Sequence, residues 1–178
     1  VAPNGATLWM SYLDRDDDVM RYQGQAFNWI GFDELTQWPT DYAWTYMRSR
    51  LRATKASGLP LYMRATSNPG GPGHRWVKKI FIDPSKPDKS FWATDENGEI
   101  IKWPKGHSRE GEPLFKRKFI PATLFDNPYL SEDGMYEANL LSLPEHQRRQ
   151  LLEGDWDINE GAAFPEFNRR IHVVDPYD

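Results

Sequence analysis

Cysteine is absent from all 178 residues. That excludes a disulfide framework and any thiolate metal site, and it agrees with an intracellular setting. No hydrophobic run approaches the length of a membrane span, and no secretory leader pattern is visible. Positive charge is scarce: 22 Lys and Arg stand against 26 Asp and Glu, a formal net charge of −4. Such a balance does not predict a general nucleic-acid-binding surface, so any contact with DNA has to be local. Internal repeats and low-complexity segments are also missing. The first residue is Val1 rather than Met, so we expect an excised or processed piece whose function is not complete within it.

What is present is a globular composition, 39% hydrophobic and 27% charged, in a chain long enough for one domain with a core. "ATLWMSYL" (Ala6 to Leu13) is rich in strand formers and precedes the polar "DRDDD" run, which reads as a solvated loop. A metal cluster there is the lesser alternative, because contiguous carboxylates repel and diverge. "FNWIGF" (Phe27 to Phe32) is too short for a helix and too apolar for an exposed strand. It predicts a central strand buried on both faces. A helix is expected from Pro39 to Lys55, with Ala43, Met47 and Leu51 on one face, followed by a strand over Leu59 to Thr66.

"SNPGGPG" then leads into a helix with an apolar stripe of Trp76, Val77, Ile80 and Phe81. Strands interleaved with helices indicate an α/β sheet, largely parallel. From about Asp83 to Pro113 the rhythm breaks. Asn97-Gly98 lies between two strand-like arms, which predicts an inserted β-hairpin, and "PLFKRKFIPA" returns to strand character. Two short helices are expected over residues 131–154, with Ser131 capping the first, Pro144 opening the second and Gly154 ending it.

The chemistry concentrates where two predicted strands end. The Phe27–Phe32 run stops at Asp33 and Glu34, and the carboxyl edge of an open α/β sheet is where such folds bind ligands. In nucleoside-triphosphate hydrolysis one such acid holds Mg²⁺ and the other polarises the attacking water. The bland alternative is an acidic loop start. About thirty residues on, the next strand ends in Thr66, Ser67 and Asn68. If the two strands are neighbours, hydroxyl and amide groups there can hold the attacking water or contact a γ-phosphate. The alternative is an ordinary turn, since Asn-Pro and Gly-Gly are turn formers.

Taken in order, "GQAFNWIGFDELTQW", "RSRLR", "ATSNPGGPGHRWVKK", "FIPATLFDNPYL", "LLEGDWD" and "FPEF" resemble the large terminase subunit of tailed bacteriophages or prophages over nearly the whole chain. The resemblance implies an α/β P-loop NTPase domain, RecA-like and of the additional-strand, catalytic-glutamate type, present in part and carrying the inserted hairpin. It implies an ATPase that uses ATP and Mg²⁺ to drive double-stranded DNA into a procapsid in the bacterial cytoplasm. Implied partners are DNA, a portal protein, a small terminase subunit and further copies of the chain in a ring. By motif, Asp33 resembles the Walker B magnesium ligand and Glu34 the catalytic base. Thr66, Ser67 and Asn68 resemble the coupling motif. Arg48, Arg50 and Arg52 are candidates for the transition-state arginine, against the alternative of a solvated helix face.

Two departures from the family pattern stand out. No "GxxxxGK[ST]" occurs in the chain, and "NPGGPGHR" lacks the Lys and hydroxyl that cradle phosphates and Mg²⁺. The phosphate loop is therefore expected upstream of Val1, and the nuclease carboxylates beyond Asp178. On this basis residues 1–157 are the latter part of an ATPase domain and 158–178 a linker or the start of a nuclease domain. The chain by itself is expected to be inactive.

His74, Arg75, Lys78 and Lys79 form a basic strip, either a solvated face or a contact for DNA phosphates. His107, His146 and His172 are too scattered for a metal site, and Glu166 reads as a linker residue. Two rival functions remain on sequence grounds. One is an ATP-dependent helicase or translocase; the other is a non-catalytic assembly module in which Asp33 and Glu34 serve only structure.

Overall fold

The computed structural model describes residues 3–131 and 134–158. It divides into two compact units, Val1–Asp33 with Thr40–Ala65 and Glu34–Pro39 with Thr66–Asp178. Among the described residues the architecture is mixed α/β with small sheets, one parallel pair and one antiparallel pair, each of two strands. No helix among the described residues is long and apolar enough to cross a membrane.

In the first unit, β1 (Trp29–Phe32) runs parallel to β2 (Tyr62–Ala65), with rungs from Trp29↔Tyr62 to Phe32↔Ala65. A parallel pair needs a crossover, and α1 (Tyr42–Arg48) lies within it. Ala43, Trp44 and Met47 recur on one face of α1 and are buried together with Ile30 of β1. The Trp44 ring meets Phe32 edge-on at 5.5 Å. Val19 is also fully buried; it sits on a 3₁₀ helix, Asp16–Tyr22, that packs against α1.

Four sequence expectations need correction here. No strand forms over Ala6–Leu13. Its backbone is irregular and the Met10 side chain is 92% exposed, because strand propensity is realised only by pairing and burial. The acidic run is the start of the 3₁₀ helix rather than a loop. Asp18 accepts the amides of Asp14 and Arg15, and those hydrogen bonds hold its carboxyl below the ordinary aspartate value. β1 is buried on one face only, since Trp29 on the other is 41% exposed. Finally, the helix expected to Lys55 stops at Arg48. Leu51 is drawn into a parallel bridge with Phe27, whose N–H donates to the Arg50 carbonyl (3.0 Å) and whose carbonyl accepts from Arg52 (3.0 Å). A backbone committed to a sheet bridge cannot also continue a helix.

The bridge to Leu51 is thus made by Phe27, just ahead of β1, while β1 itself pairs with β2. β2 is paired on its β1 side and has no strand partner on its other edge among the described residues.

In the second unit, the apolar stripe after "SNPGGPG" forms α2 (His74–Val77), which widens into a π-helical turn over Lys78–Ile82. Next, β3 (Ser90–Trp92) pairs antiparallel with β4 (Lys116–Lys118). "PLFKRKFIPA" therefore serves the inserted region and adds nothing to the parallel pair. The Asn97-Gly98 turn is present, with Gly98 at φ +82 and Asp95 Oδ1 accepting the amides of Asn97 and Glu99.

Three helices follow: α3 (Pro128–Ser131), α4 (Met135–Leu141) and α5 (Glu145–Leu151). Ser131 is the last residue of α3 rather than the start of the first helix. The start is made one turn earlier by Asn127-Pro128, where Asn127 Oδ1 accepts the Tyr129 amide. Pro144 precedes α5 and Gly154 follows it at φ +62, as expected. Leu124, Leu140 and Leu152 form the core under these helices. The tail containing Glu166 and His172 lies outside the described residues.

Candidate functional site

β1 and β2 stop at the same rung, Phe32↔Ala65, so Asp33 and Thr66 are the first residues past each strand. Sequence reasoning placed the two chemical motifs on neighbouring parallel strands, and the pairing has that form. Asp33 is exposed and closes the first unit; Glu34 is exposed and opens the second.

Glu34 has φ +50 and ψ +54, a left-handed conformation. For a residue with a Cβ this costs roughly 1–2 kcal/mol, so its surroundings must hold it. Three consecutive amides do so. The Glu34 N–H donates to Thr66 Oγ1 (3.4 Å), the Leu35 N–H to the Thr66 carbonyl (2.9 Å) and the Thr36 N–H to Ser67 Oγ (3.0 Å). A hydroxyl relay continues the chain: Ser67 Oγ donates to Thr36 Oγ1 (2.9 Å), which donates to the Asn68 carbonyl (3.0 Å). From the other side, the Gly73 N–H donates to the Thr36 carbonyl (2.7 Å). Leu35 anchors the turn from within, only 2% exposed. The result is a segment, residues 34–36, fixed along its length to the turn 66–68, with the Glu34 side chain left outside.

The turn itself is shaped by glycine. Gly70 and Gly71 take φ of +95 and +75, and Gly73 has no room for a side chain beside the Trp38 carbonyl. The Gly70 amide donates to His74 Nδ1 (2.8 Å), so that nitrogen carries no proton. His74 also stacks on Trp156 at 5.4 Å. Trp76 Nε1 donates to the Trp38 carbonyl (2.7 Å). On α5, buried Gln150 lies against Gly70, whose added Cβ would stand 2.9 Å from its amide nitrogen.

The basic strip on α2 and the π-helical turn after it is thus not a uniformly solvated face. His74 is tied to the turn, and Lys78 pairs with Asp157 (2.8 Å) and Asp83 (3.6 Å). Burial opposes the Lys78 charge, but those two carboxylates outweigh it and raise its pKa.

The three arginine candidates separate within the first unit. Arg48 is half-buried on the last turn of α1, and that burial lowers its pKa against the opposing charge of Asp41. Arg50 donates to Ser49 Oγ (2.9 Å), and its guanidinium lies over the Tyr46 ring. Arg52 donates to the Gln25 carbonyl (2.6 Å).

Among the described residues, no group of three or more His, Cys, Asp or Glu is arranged to hold a metal ion. The donor set at the strand ends is carboxylate oxygen. It suits a magnesium ion that takes one protein carboxylate and completes its shell with water and phosphate.

Sequence reasoning missed Thr36, Gly73 and Gln150. Thr36 stands two residues after the carboxylate pair, and an isolated hydroxyl in an acidic turn gives no signal of burial. Gly73 was visible only as one of several glycines in a turn-forming run.

A family model described as "Terminase large subunit, T4likevirus-type, N-terminal" matches residues 1–171 of the chain. No curated protein matches it, and neither does any solved structure.

Proposed function

The chain belongs to the T4-like terminase large-subunit N-terminal family, and from that premise we propose that it is the ATPase motor part of a large subunit that, intact, couples ATP hydrolysis to the packaging of double-stranded DNA into procapsids. The family itself implies an ATPase region with a P-loop, ATP and Mg²⁺ as its chemistry, and a role in phage DNA packaging. The finer reading is the latter part of a RecA-like domain of the additional-strand, catalytic-glutamate type over residues 1–157, with a hairpin inserted over about residues 83–113. A portal protein, a small terminase subunit and a ring of like chains are its partners, at work in the bacterial cytoplasm.

The observation that carries this reading is the clamp between residues 34–36 and 66–68, just past two parallel strands that end together. A glutamate held in a left-handed turn with its carboxylate exposed is positioned rather than merely tolerated. In the proposed reaction Glu34 takes the proton of the attacking water as the water oxygen bonds to the γ-phosphorus. The bond from that phosphorus to the β–γ bridging oxygen breaks, and ADP leaves with the electron pair. Asp33 would hold magnesium, whose contribution is to neutralise charge on the phosphate oxygens. Thr66, Ser67 and Asn68 couple the state of the γ-phosphate to movement. Their bonds to residues 34–36 make any shift of the turn a shift of Glu34 as well.

In the full-length large subunit, Glu34→Gln should keep ATP binding and abolish turnover, because it removes the base and preserves shape. Asp33→Asn should weaken Mg²⁺-dependent nucleotide binding in addition. Packaging by Glu34→Gln at the parental rate would show that the base is another residue.

A further inference from the structure

Thr36 is one of two polar residues that are buried among the described residues, at 3% exposure; the other is Gln150. Burying a hydroxyl is unfavourable unless it is fully hydrogen-bonded. Every polar group of Thr36 is engaged. Its N–H and its Oγ1 both meet Ser67 Oγ, its hydroxyl proton goes to the Asn68 carbonyl, and its own carbonyl receives the Gly73 amide. Valine has nearly the same shape and the same backbone N–H and C=O, so it would lose only the two hydroxyl bonds, to Ser67 Oγ and the Asn68 carbonyl. That loss is one of ordinary hydrogen-bond stability. What the hydroxyl adds is direction: it fixes residues 34–36 in one register against the turn that carries Ser67 and Asn68.

We infer that Thr36 is a positioning residue for hydrolysis, holding the left-handed Glu34 in the one orientation from which its carboxylate can meet the attacking water. The inference rests on the assignment of Glu34 as base. Thr36 is buried, so it acts through the backbone two residues before it. Asn68 gives its carbonyl to Thr36 and leaves its side chain exposed. The same hydroxyl therefore links the Asn68 backbone to the segment that carries Glu34. Without it, the three amide bonds remain but the hydroxyl links to Ser67 and Asn68 are lost, and the left-handed Glu34 is held less firmly, so its carboxylate samples several positions. Misplacement of a catalytic group by about 1 Å can cost on the order of 100-fold in rate.

The test is steady-state ATP hydrolysis by the full-length large subunit carrying Thr36→Val, Thr36→Ser, Val77→Ala or Glu34→Gln, with melting temperatures alongside. Thr36→Val should lower kcat by roughly 10- to 100-fold with KM for ATP nearly unchanged, and Thr36→Ser should restore most of it. Val77 is buried in the same unit. Its truncation should lower the melting temperature at least as much as Thr36→Val and leave kcat near the parental value. If Thr36→Val keeps the parental kcat while Glu34→Gln abolishes it, the positioning role is refuted and the base assignment stands. Equal loss of kcat in Val77→Ala and Thr36→Val would also refute it, by showing that any loosening of the unit has the same effect. Retained turnover in Glu34→Gln would remove the base assignment, and the inference with it.

Discussion

Replacing Gly73 by alanine isolates the packing that holds the 34–36 segment to its turn. The backbone of Gly73 has φ −91 and ψ 0, which alanine adopts readily, so backbone strain plays no part. Space is the whole issue. The new Cβ would overlap the Trp38 carbonyl oxygen and stand 2.7 Å from Trp76 Nε1 and 2.9 Å from the Thr36 carbonyl oxygen. Two of these atoms are backbone, so no side-chain rotation relieves the clash. The unit must open at this point. Doing so strains or breaks the Gly73-to-Thr36 and Trp76-to-Trp38 hydrogen bonds, each 2.7 Å long. Overpacking costs about 1–3 kcal/mol and each lost bond about 1 kcal/mol, which together amount to about 3–5 kcal/mol. For a chain of this size, about 2–4 °C per kcal/mol gives a fall in melting temperature of roughly 6–20 °C. Thermal denaturation followed by far-ultraviolet circular dichroism measures this directly. A melting temperature within about 2 °C of the parent would refute the reasoning, because it would require Trp38 and Gly73 to sit apart in solution.

Two further outcomes follow from charge. Asp126 closes a capping box by accepting the Thr123 amide (2.6 Å) and the Thr123 hydroxyl (2.9 Å), and the amide bond above all holds its pKa below the ordinary 3.8. Its folded-state pKa is thus the lower one, so the cap's contribution is fully present above pH 3.8 and is lost as pH falls through the depressed value. Carboxyl titration by NMR should put its midpoint below that of a free aspartate, and Thr123→Ala should move it back up; a midpoint at or above 3.8 would contradict the cap. The second outcome concerns nucleotide. The chain contains no "GxxxxGK[ST]", and two exposed carboxylates repel a polyanion. Calorimetric titration of these 178 residues with ATP-Mg²⁺ should accordingly show weak binding or none, with no hydrolysis and no DNA cleavage. One-to-one binding in the micromolar range would place a phosphate site within these residues.

Local signals carried the strand ends and the turns. An apolar run stopping at Asp33-Glu34 and a second stopping at Thr66-Ser67-Asn68 were readable as paired parallel strands, and β1 and β2 pair in that way. Pro144 and Gly154 bracket α5 because their backbone preferences act whatever the surroundings. Expectations failed where the answer depended on a distant partner. Ala6–Leu13 has strand-forming residues and finds no strand to pair with among the described residues. The helix after Pro39 had the right periodicity through Leu51, yet its last turn is given up to the bridge with Phe27. Such competition between a local helix and a remote sheet edge leaves no trace in a helical pattern.

The same distinction separates the parts of the site. A carboxylate pair is visible by residue type, although an acidic loop start gives the same pattern. A hydroxyl clamp is not, since threonine and serine are ordinary in turns and become informative only once buried. Thr36, Ser67 and Asn68 form a relay because β1 and β2 end level with each other, bringing the residues that follow Phe32 beside those that follow Ala65. Slipping the pairing by one residue would send alternate side chains to the opposite face. Thr36 would then meet no hydroxyl, and Glu34 would lose the amide bonds that hold its left-handed turn. The register of two four-residue strands therefore decides whether Glu34 is held in its left-handed turn or left as an ordinary surface acid.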